Sequence, residues 1–135
     1  MDRAVELIRD AKTIAVVGAS SDRSKASHGV SQYLIDAGYT VYLVNPTETE
    51  ILGRPVYPTL QSVPEPVDIV DIFRRPADVP PVVEDAIEAG AKAVWMQLGI
   101  VNEEAAERAR AAGLDVVMDR CTKIEHRRIS AAARA

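Results

Sequence analysis

Short apolar runs alternate with longer stretches of helical period along the whole chain. The first run, Thr13-Ile14-Ala15-Val16-Val17, is built from β-branched and small residues and stops at Gly18-Ala19-Ser20-Ser21. Upstream of it, Ala4, Leu7, Ile8 and Ala11 share one face and predict a lead-in helix over Ala4–Lys12. Downstream, a pattern of helical period predicts a helix over Ser27–Ala37, and Val41-Tyr42-Leu43-Val44 predicts a second strand after Gly38. Pro46 ends that strand, because proline has no N–H for a sheet ladder. Thr47–Pro58 reads as irregular, with Gly53 turning between the extended pieces Glu50-Ile51-Leu52 and Pro55-Val56-Tyr57, and Thr59–Val63 as one helical turn.

Val67–Phe73 predicts the third strand, and its partly alternating pattern places Asp68 and Asp71 near a strand end or an exposed edge. The next helix spans Pro76–Ala89, with Pro80 and Pro81 confined to its first turn and Gly90 as its stop. Ala93–Met96 is the fourth strand, with Trp95 a core residue. Asn102 caps a helix that carries Glu103 and Glu104 at its positive end and stops at Gly113. Val116–Met118 is the fifth strand, and Lys123–Ala133 a terminal helix. Strands alternating with helices predict an α/β fold. The expectation is one Rossmann-like domain over residues 1–135, a three-layer sandwich around a parallel five-stranded sheet of order 3-2-1-4-5.

Composition narrows the function. A chain of 135 residues with 47% hydrophobic residues can bury a real core. A net charge of -4 argues against a broad field for nucleic acid. One cysteine, Cys121, excludes an internal disulfide and a Cys-rich zinc site. No apolar run approaches the ~20 residues of a membrane span, and the charged start Met1-Asp2-Arg3-Ala4-Val5-Glu6 does not read as a signal peptide. The expected location is the cytoplasm.

In a sheet of this kind, ligands bind beyond the carboxyl ends of the strands. Here those ends carry Gly18-Ala19-Ser20, Asn45-Pro46, Arg74-Arg75-Pro76, Gln97-Leu98-Gly99 and Asp119-Arg120-Cys121. Strand, tight loop and helix together suggest a phosphate at a helix N-terminus. A nicotinamide dinucleotide site would need further glycines after Gly18 and an acid ending the second strand, where Asn45-Pro46 stands instead. No Walker lysine motif occurs. A hydroxyl-rich loop followed by Arg23 and Lys25 suits a pyrophosphate held by backbone N–H groups and a cation.

Val16-Val17-Gly18-Ala19-Ser20, Val44-Asn45-Pro46, Gly53-Arg54-Pro55-Val56-Tyr57, Arg75-Pro76 and Asp119-Arg120-Cys121 together resemble the small stand-alone CoA-binding proteins. These are related to the CoA-binding domain of the succinyl-CoA synthetase α subunit, and the resemblance covers roughly residues 12–128. It implies CoA or acyl-CoA as the ligand. Gly18, Ala19 and Ser20 would meet the diphosphate, with Lys25 as charge partner, and Asn45 and Pro46 would wall the adenosine end. Phe73, Arg74, Arg75 and Pro76 would flank the ligand. Gln97, Leu98 and Gly99 would face the pantetheine arm, and Cys121 would lie near the thiol. His28 and His126 match no catalytic position, so ligase activity is not implied.

Plainer readings stand beside these. Gly18 also serves a simple turn, and Lys25 is equally a solvated charge. Arg74 and Arg75 can pair with Asp71 and Asp78 as surface salt bridges. Cys121 can be a small buried hydrophobe. His28 reads as a local cap or packing residue and His126 as surface. No catalytic triad, carboxylate dyad or metal cluster can be assembled. With CoA as the ligand the resemblance implies, the expectation is a carrier, sensor or accessory domain without evident catalysis of its own, serving a partner enzyme or forming a homo-oligomer. An NAD(P)-dependent oxidoreductase with an atypical loop is the alternative, and a regulatory module with a vestigial pocket the third reading.

Overall fold

The computed structural model describes the backbone of residues 2–134 and the side chains of residues 2–131. Helix α1 (Arg3–Asp10) is N-capped by Asp2, whose carboxylate accepts the Ala4 N–H at 2.9 Å. It leads into strand β1 (Thr13–Val17), helix α2 (Ala26–Asp36) and strand β2 (Thr40–Val44). Two short strands follow, β3 (Glu50–Ile51) and β4 (Arg54–Tyr57), joined by Leu52 and Gly53. Both linking residues have positive φ, 54° and 69°, the signature of a tight two-residue hairpin turn. A 3₁₀ turn (Leu60–Ser62) leads to β5 (Ile69–Ile72). A second 3₁₀ turn (Pro76–Asp78) runs into α3 (Val79–Glu88), followed by β6 (Ala93–Met96), α4 (Glu103–Ala111), β7 (Asp115–Val117) and α5 (Thr122–Arg134).

The sheet has seven strands in the order β3-β4-β2-β1-β5-β6-β7. All neighbours are parallel except the β3–β4 hairpin. Two expectations are corrected here. The hairpin adds two strands that looked too short to count, and β4 takes the outer edge of β2, with Leu43 opposite Val56 and Val44 opposite Tyr57. With that edge filled, the third expected strand, β5, pairs instead with the free side of β1. The five expected strands therefore run 2-1-3-4-5 rather than 3-2-1-4-5.

The three-layer sandwich holds. One core, from α1, α2, α5 and one sheet face, contains Ile8, Ile14, Leu34, Leu43 and the fully buried Trp95. The other, from α3, α4 and the opposite face, contains Ile72, Val83, Val94 and Ala106. Trp95 Nε1–H donates to the Arg120 carbonyl at 2.7 Å, so its one polar group is satisfied inside the core. Asn102 caps α4, its Oδ1 accepting the Ala105 N–H at 2.9 Å.

Asp68 sits at the start of β5 as expected, accepting the Lys12 and Thr13 N–H groups at 2.8 and 3.2 Å. Asp71 stands near the other end of β5, one residue before Ile72, but not at an exposed edge: β5 lies between β1 and β6, and Asp71 is fully buried. His126 is likewise not a surface residue. It is half-buried, edge-on to Tyr33 and Tyr39, with Nδ1 2.7 Å from the Tyr33 hydroxyl. No helix among the described residues is long and apolar enough to cross a membrane.

The new strand order makes Gly18 a packing constraint. Its φ is +94°, and a Cβ built there would lie 2.3 Å from the Phe73 carbonyl oxygen at the end of β5. The glycine is required by the neighbouring strand end, whatever the ligand demands. Gly18→Ala should therefore cost roughly 2–4 kcal/mol of stability, from the left-handed backbone and the clash together. Urea unfolding measures it, and a wild-type midpoint would show that the two strand ends can separate freely.

Candidate functional site

Loops from the carboxyl ends of β1, β2, β5, β6 and β7 converge on a crevice of about 580 Å³. Its position follows from the strand order. The chain leaves β1 toward α2 on one face of the sheet and leaves adjacent β5 toward α3 on the other, so the two connections diverge and open a gap.

Most of the expected residues meet there. Gly18, Ala19, Ser20 and Lys25 form one wall, Asn45, Phe73, Arg74 and Arg75 the next, and Gln97, Leu98 and Cys121 the remainder. Pro46, Pro76 and Gly99 lie outside these walls. Pro46 instead borders a smaller cavity with Val17 and Val44. The Pro76 carbonyl accepts the Asn102 side-chain N–H at 2.9 Å, and the Gly99 N–H donates to Asp119 at 2.6 Å. Ala26, Ser27, Val30 and Ile100 complete the lining and were not anticipated. Ala26 and Ser27 open α2, so the expectation of a phosphate at that helix end already contained their position.

Polar brackets hold the loop after β1. Asn45 Nδ2–H donates to the Ala19 carbonyl at 2.8 Å, while Asn45 Oδ1 accepts the Thr47 N–H and hydroxyl at 2.8 and 2.9 Å. His28 Nδ1–H donates to the Ser20 carbonyl at 2.9 Å, which makes it the local packing residue expected. The Ser20 hydroxyl accepts the Asp22 N–H at 3.0 Å. Glu48, which the sequence did not single out, accepts the Ser21 N–H at 3.1 Å from outside the crevice. Lys25, the residue capping α2, makes no side-chain cap bond, so the N-terminus of α2 reaches the crevice without a side-chain acceptor, although the His28 N–H turns to the Lys25 carbonyl at 3.1 Å.

The lining carries Lys25, Arg74 and Arg75 and no carboxylate. Arg75 pairs with Asp78 at 2.8 Å and its side chain is 84% exposed, as the surface-pair reading expected. The alternative pairing of an arginine with Asp71 does not occur, because Asp71 is buried under the crevice floor. Lys25 and Arg74 make no salt bridge among the described residues. Cys121 is 8% exposed. Neighbouring Arg120 is committed to Asp2 at 2.7 Å and to buried Glu125 at 2.8 Å, and Lys123 lies over the Tyr33 ring, so neither cation is directed at the thiol.

Below Gln97 lies a buried polar triad. Gln97 Nε2 donates to Asp71 Oδ1 at 2.6 Å and to Thr122 Oγ1 at 3.0 Å, and the Thr122 hydroxyl donates to Asp71 Oδ2 at 2.8 Å. Burial pushes the Asp71 carboxyl from an ordinary 3.8 up to about 7, against the two hydrogen bonds, which pull it down.

A family model described as a CoA binding domain matches residues 12–127. The protein YneT of Bacillus subtilis is 42% identical over 121 residues, covering 90% of each chain. The ADP-forming acetate–CoA ligase I of Archaeoglobus fulgidus is 33% identical over 82% of this chain, which spans 18% of the ligase's length. A solved structure from Pyrococcus horikoshii superposes with a TM-score of 0.91 at 41% identity, covering 95% of this chain and 90% of that one.

The triad makes stability depend on pH. The folded state holds the Asp71 proton more tightly than the unfolded chain, whose carboxyl titrates near 3.8. The resulting contribution is complete below about pH 4 and is lost as pH rises to about 7, on the order of 4 kcal/mol in all. Asp71→Asn should remove this slope. Subtracting its unfolding free energy from that of wild type across pH 4–8 isolates the effect, and a flat difference would show that Asp71 titrates normally.

Proposed function

The chain belongs to the CoA-binding domain family, and from that premise we propose that it binds coenzyme A or an acyl-CoA across the carboxyl ends of its parallel strands. The observation that carries this reading is the crevice wall itself. A helix N-terminus without a side-chain cap stands beside Lys25 and Arg74, which have no salt bridge among the described residues, and the crevice lining holds no carboxylate, the Asp22 carboxylate near Lys25 lying outside it. Such a wall attracts a diphosphate through backbone N–H groups, the helix dipole and two cations.

In this reading Gly18, Ala19 and Ser20 hold the diphosphate with the first turn of α2, and Lys25 neutralises it. Asn45 contributes by bracing the loop, with Pro46 just beyond the wall toward the adenosine end. Phe73, Arg74 and Arg75 flank the ligand, with Pro76 behind them. The pantetheine arm runs past Gln97 and Leu98, with Gly99 at the turn, toward Cys121. The protein then acts as a cytoplasmic carrier, sensor or accessory domain, and a partner enzyme or a second copy supplies any chemistry. The ligase reaction of the longer relatives is not assigned to this chain, which aligns with a fraction of their length. No specific observation favours a nicotinamide dinucleotide, since the end of β2 presents Asn45 with its side chain already engaged.

Calorimetry with CoA, NAD, NADP and ATP tests the proposal. CoA should bind tightest, and Lys25→Ala should weaken it by roughly 1–2 kcal/mol, the scale of one charge-assisted contact. Tighter binding of NAD would overturn the reading, and unchanged affinity of the variant at low salt would remove Lys25 from the site. The placement of the thiol end is checked with CoA disulfide. The Cys121 thiolate attacks one sulfur, CoA thiolate leaves, and a protein–CoA disulfide forms. Intact mass should show one reducible CoA adduct that is absent from Cys121→Ser. A CoA-binding protein with no adduct would mean that the arm ends elsewhere.

A further inference from the structure

Resting on the CoA reading, we infer that Gln97 is a specificity-determining acceptor in the crevice, held with its Oε1 toward the ligand to receive an amide N–H, and that Asp71 and Thr122 are the positioning residues that hold it. Gln97 closes β6 and is 4% exposed, and what it does expose lines the crevice. An isolated glutamine amide can turn over, exchanging donor for acceptor. This one cannot do so while Asp71 is ionised. The hydroxyl of Thr122 has one hydrogen, directed to Asp71 at 2.8 Å, so it presents lone pairs to Gln97. Asp71 Oδ1 and Thr122 Oγ1 are therefore both acceptors, 2.6 and 3.0 Å from Nε2. Turning the amide over would set its oxygen against a carboxylate oxygen at hydrogen-bond distance.

Both Nε2 hydrogens are thus spent below the floor. The Gln97 main chain is also occupied, its N–H on Ile72 at 3.4 Å and its carbonyl accepting from Ile100 at 2.9 Å. Oε1 is the one remaining polar atom of the residue, and it has no partner among the described residues. A fixed acceptor above a buried carboxylate receives a neutral N–H donor and repels anionic groups. The amides of the pantetheine arm are such donors, and phosphates are not. The cost of the arrangement supports a purpose beyond folding. Asp71 is a fully buried carboxyl with no cationic partner among the described residues, in a strand where an apolar residue would pack without penalty.

The test is calorimetry at pH 8, above the value of about 7 to which burial raises the Asp71 carboxyl, with two probes. One is CoA. The other is 3′-phosphoadenosine 5′-diphosphate, the half of CoA that lacks the amides. Gln97→Met keeps the side chain's length and removes its acceptor, so it should weaken CoA roughly 5–10-fold and leave the nucleotide probe unchanged. Asp71→Asn offers Gln97 an N–H in place of an oxygen and lets the amide turn, so it should weaken CoA several-fold with the same indifference to the probe. CoA bound equally well by Gln97→Met, or both probes weakened together, overturns the inference and leaves the CoA reading standing. A wild-type protein that binds neither probe overturns both. Should Gln97→Met fail to fold, the side-chain carbonyl carbon of Gln97 in the wild-type protein carries the test. Its NMR resonance should shift with CoA and not with the nucleotide probe, and no shift with CoA overturns the inference.

Discussion

The rest of the structure depends on the contact between Gly18 and the Phe73 carbonyl. The Gly18 backbone lies so close to the end of β5 that even a methyl group has no room, 2.3 Å from that oxygen. The contact joins the two strand ends at which the chain changes direction across the sheet. Because β1 feeds one face and β5 the other, their loops must separate immediately beyond it. The crevice is that separation. The wall formed after β1 and the arginine wall are held in register by that backbone contact.

Around this contact the polar groups fall into two kinds. Some are spent on shape: Asn45 braces the Ala19 carbonyl, His28 the Ser20 carbonyl, and Arg120 ties Asp2 to Glu125. Others are left available at the crevice: the first turn of α2, Lys25, Arg74 and the Gln97 oxygen. The division explains how a chain of net charge -4 presents a cationic site. Several arginines elsewhere pair with carboxylates, as Arg3 does with Asp115 and Arg108 with Glu84, while the crevice lining holds cations without acids. On the proposed CoA reading, the available donors suit phosphates and the Gln97 acceptor suits amides, which would distribute recognition along an extended ligand.

The buried triad links this surface to the core. Asp71, Gln97 and Thr122 come from β5, β6 and the start of α5, and their hydrogen bonds set α5 against the sheet beside Cys121. Satisfied together they specify one arrangement, and the loss of any one would leave an unpaired polar group in a region that water does not reach.

Local physics carried much of this protein into view from its sequence. The strands β1, β2, β5, β6 and β7 announce themselves as short apolar runs, Asn102 and the stops at Gly90 and Gly113 bound their helices, and the strand-end residues Gly18, Ser20, Arg74, Gln97 and Cys121 are legible as one crevice because such ends always gather on one edge of a parallel sheet. The family follows from those same segments. Strand order did not follow, because it turns on which edge of β1 and β2 stays open. That was decided by a hairpin of two and four residues whose pairing with β2 is long-range. The burial of Asp71 and the purpose of Gly18 depend on that order in turn, since a residue's neighbours across a sheet are not its neighbours in the chain, while the half-buried place of His126 depends on α5 meeting Tyr33 and Tyr39. The sequence by itself determined the elements and the edge on which the site lies. Tertiary structure alone decided which strand ends touch, and therefore which polar atoms are left free to meet a ligand.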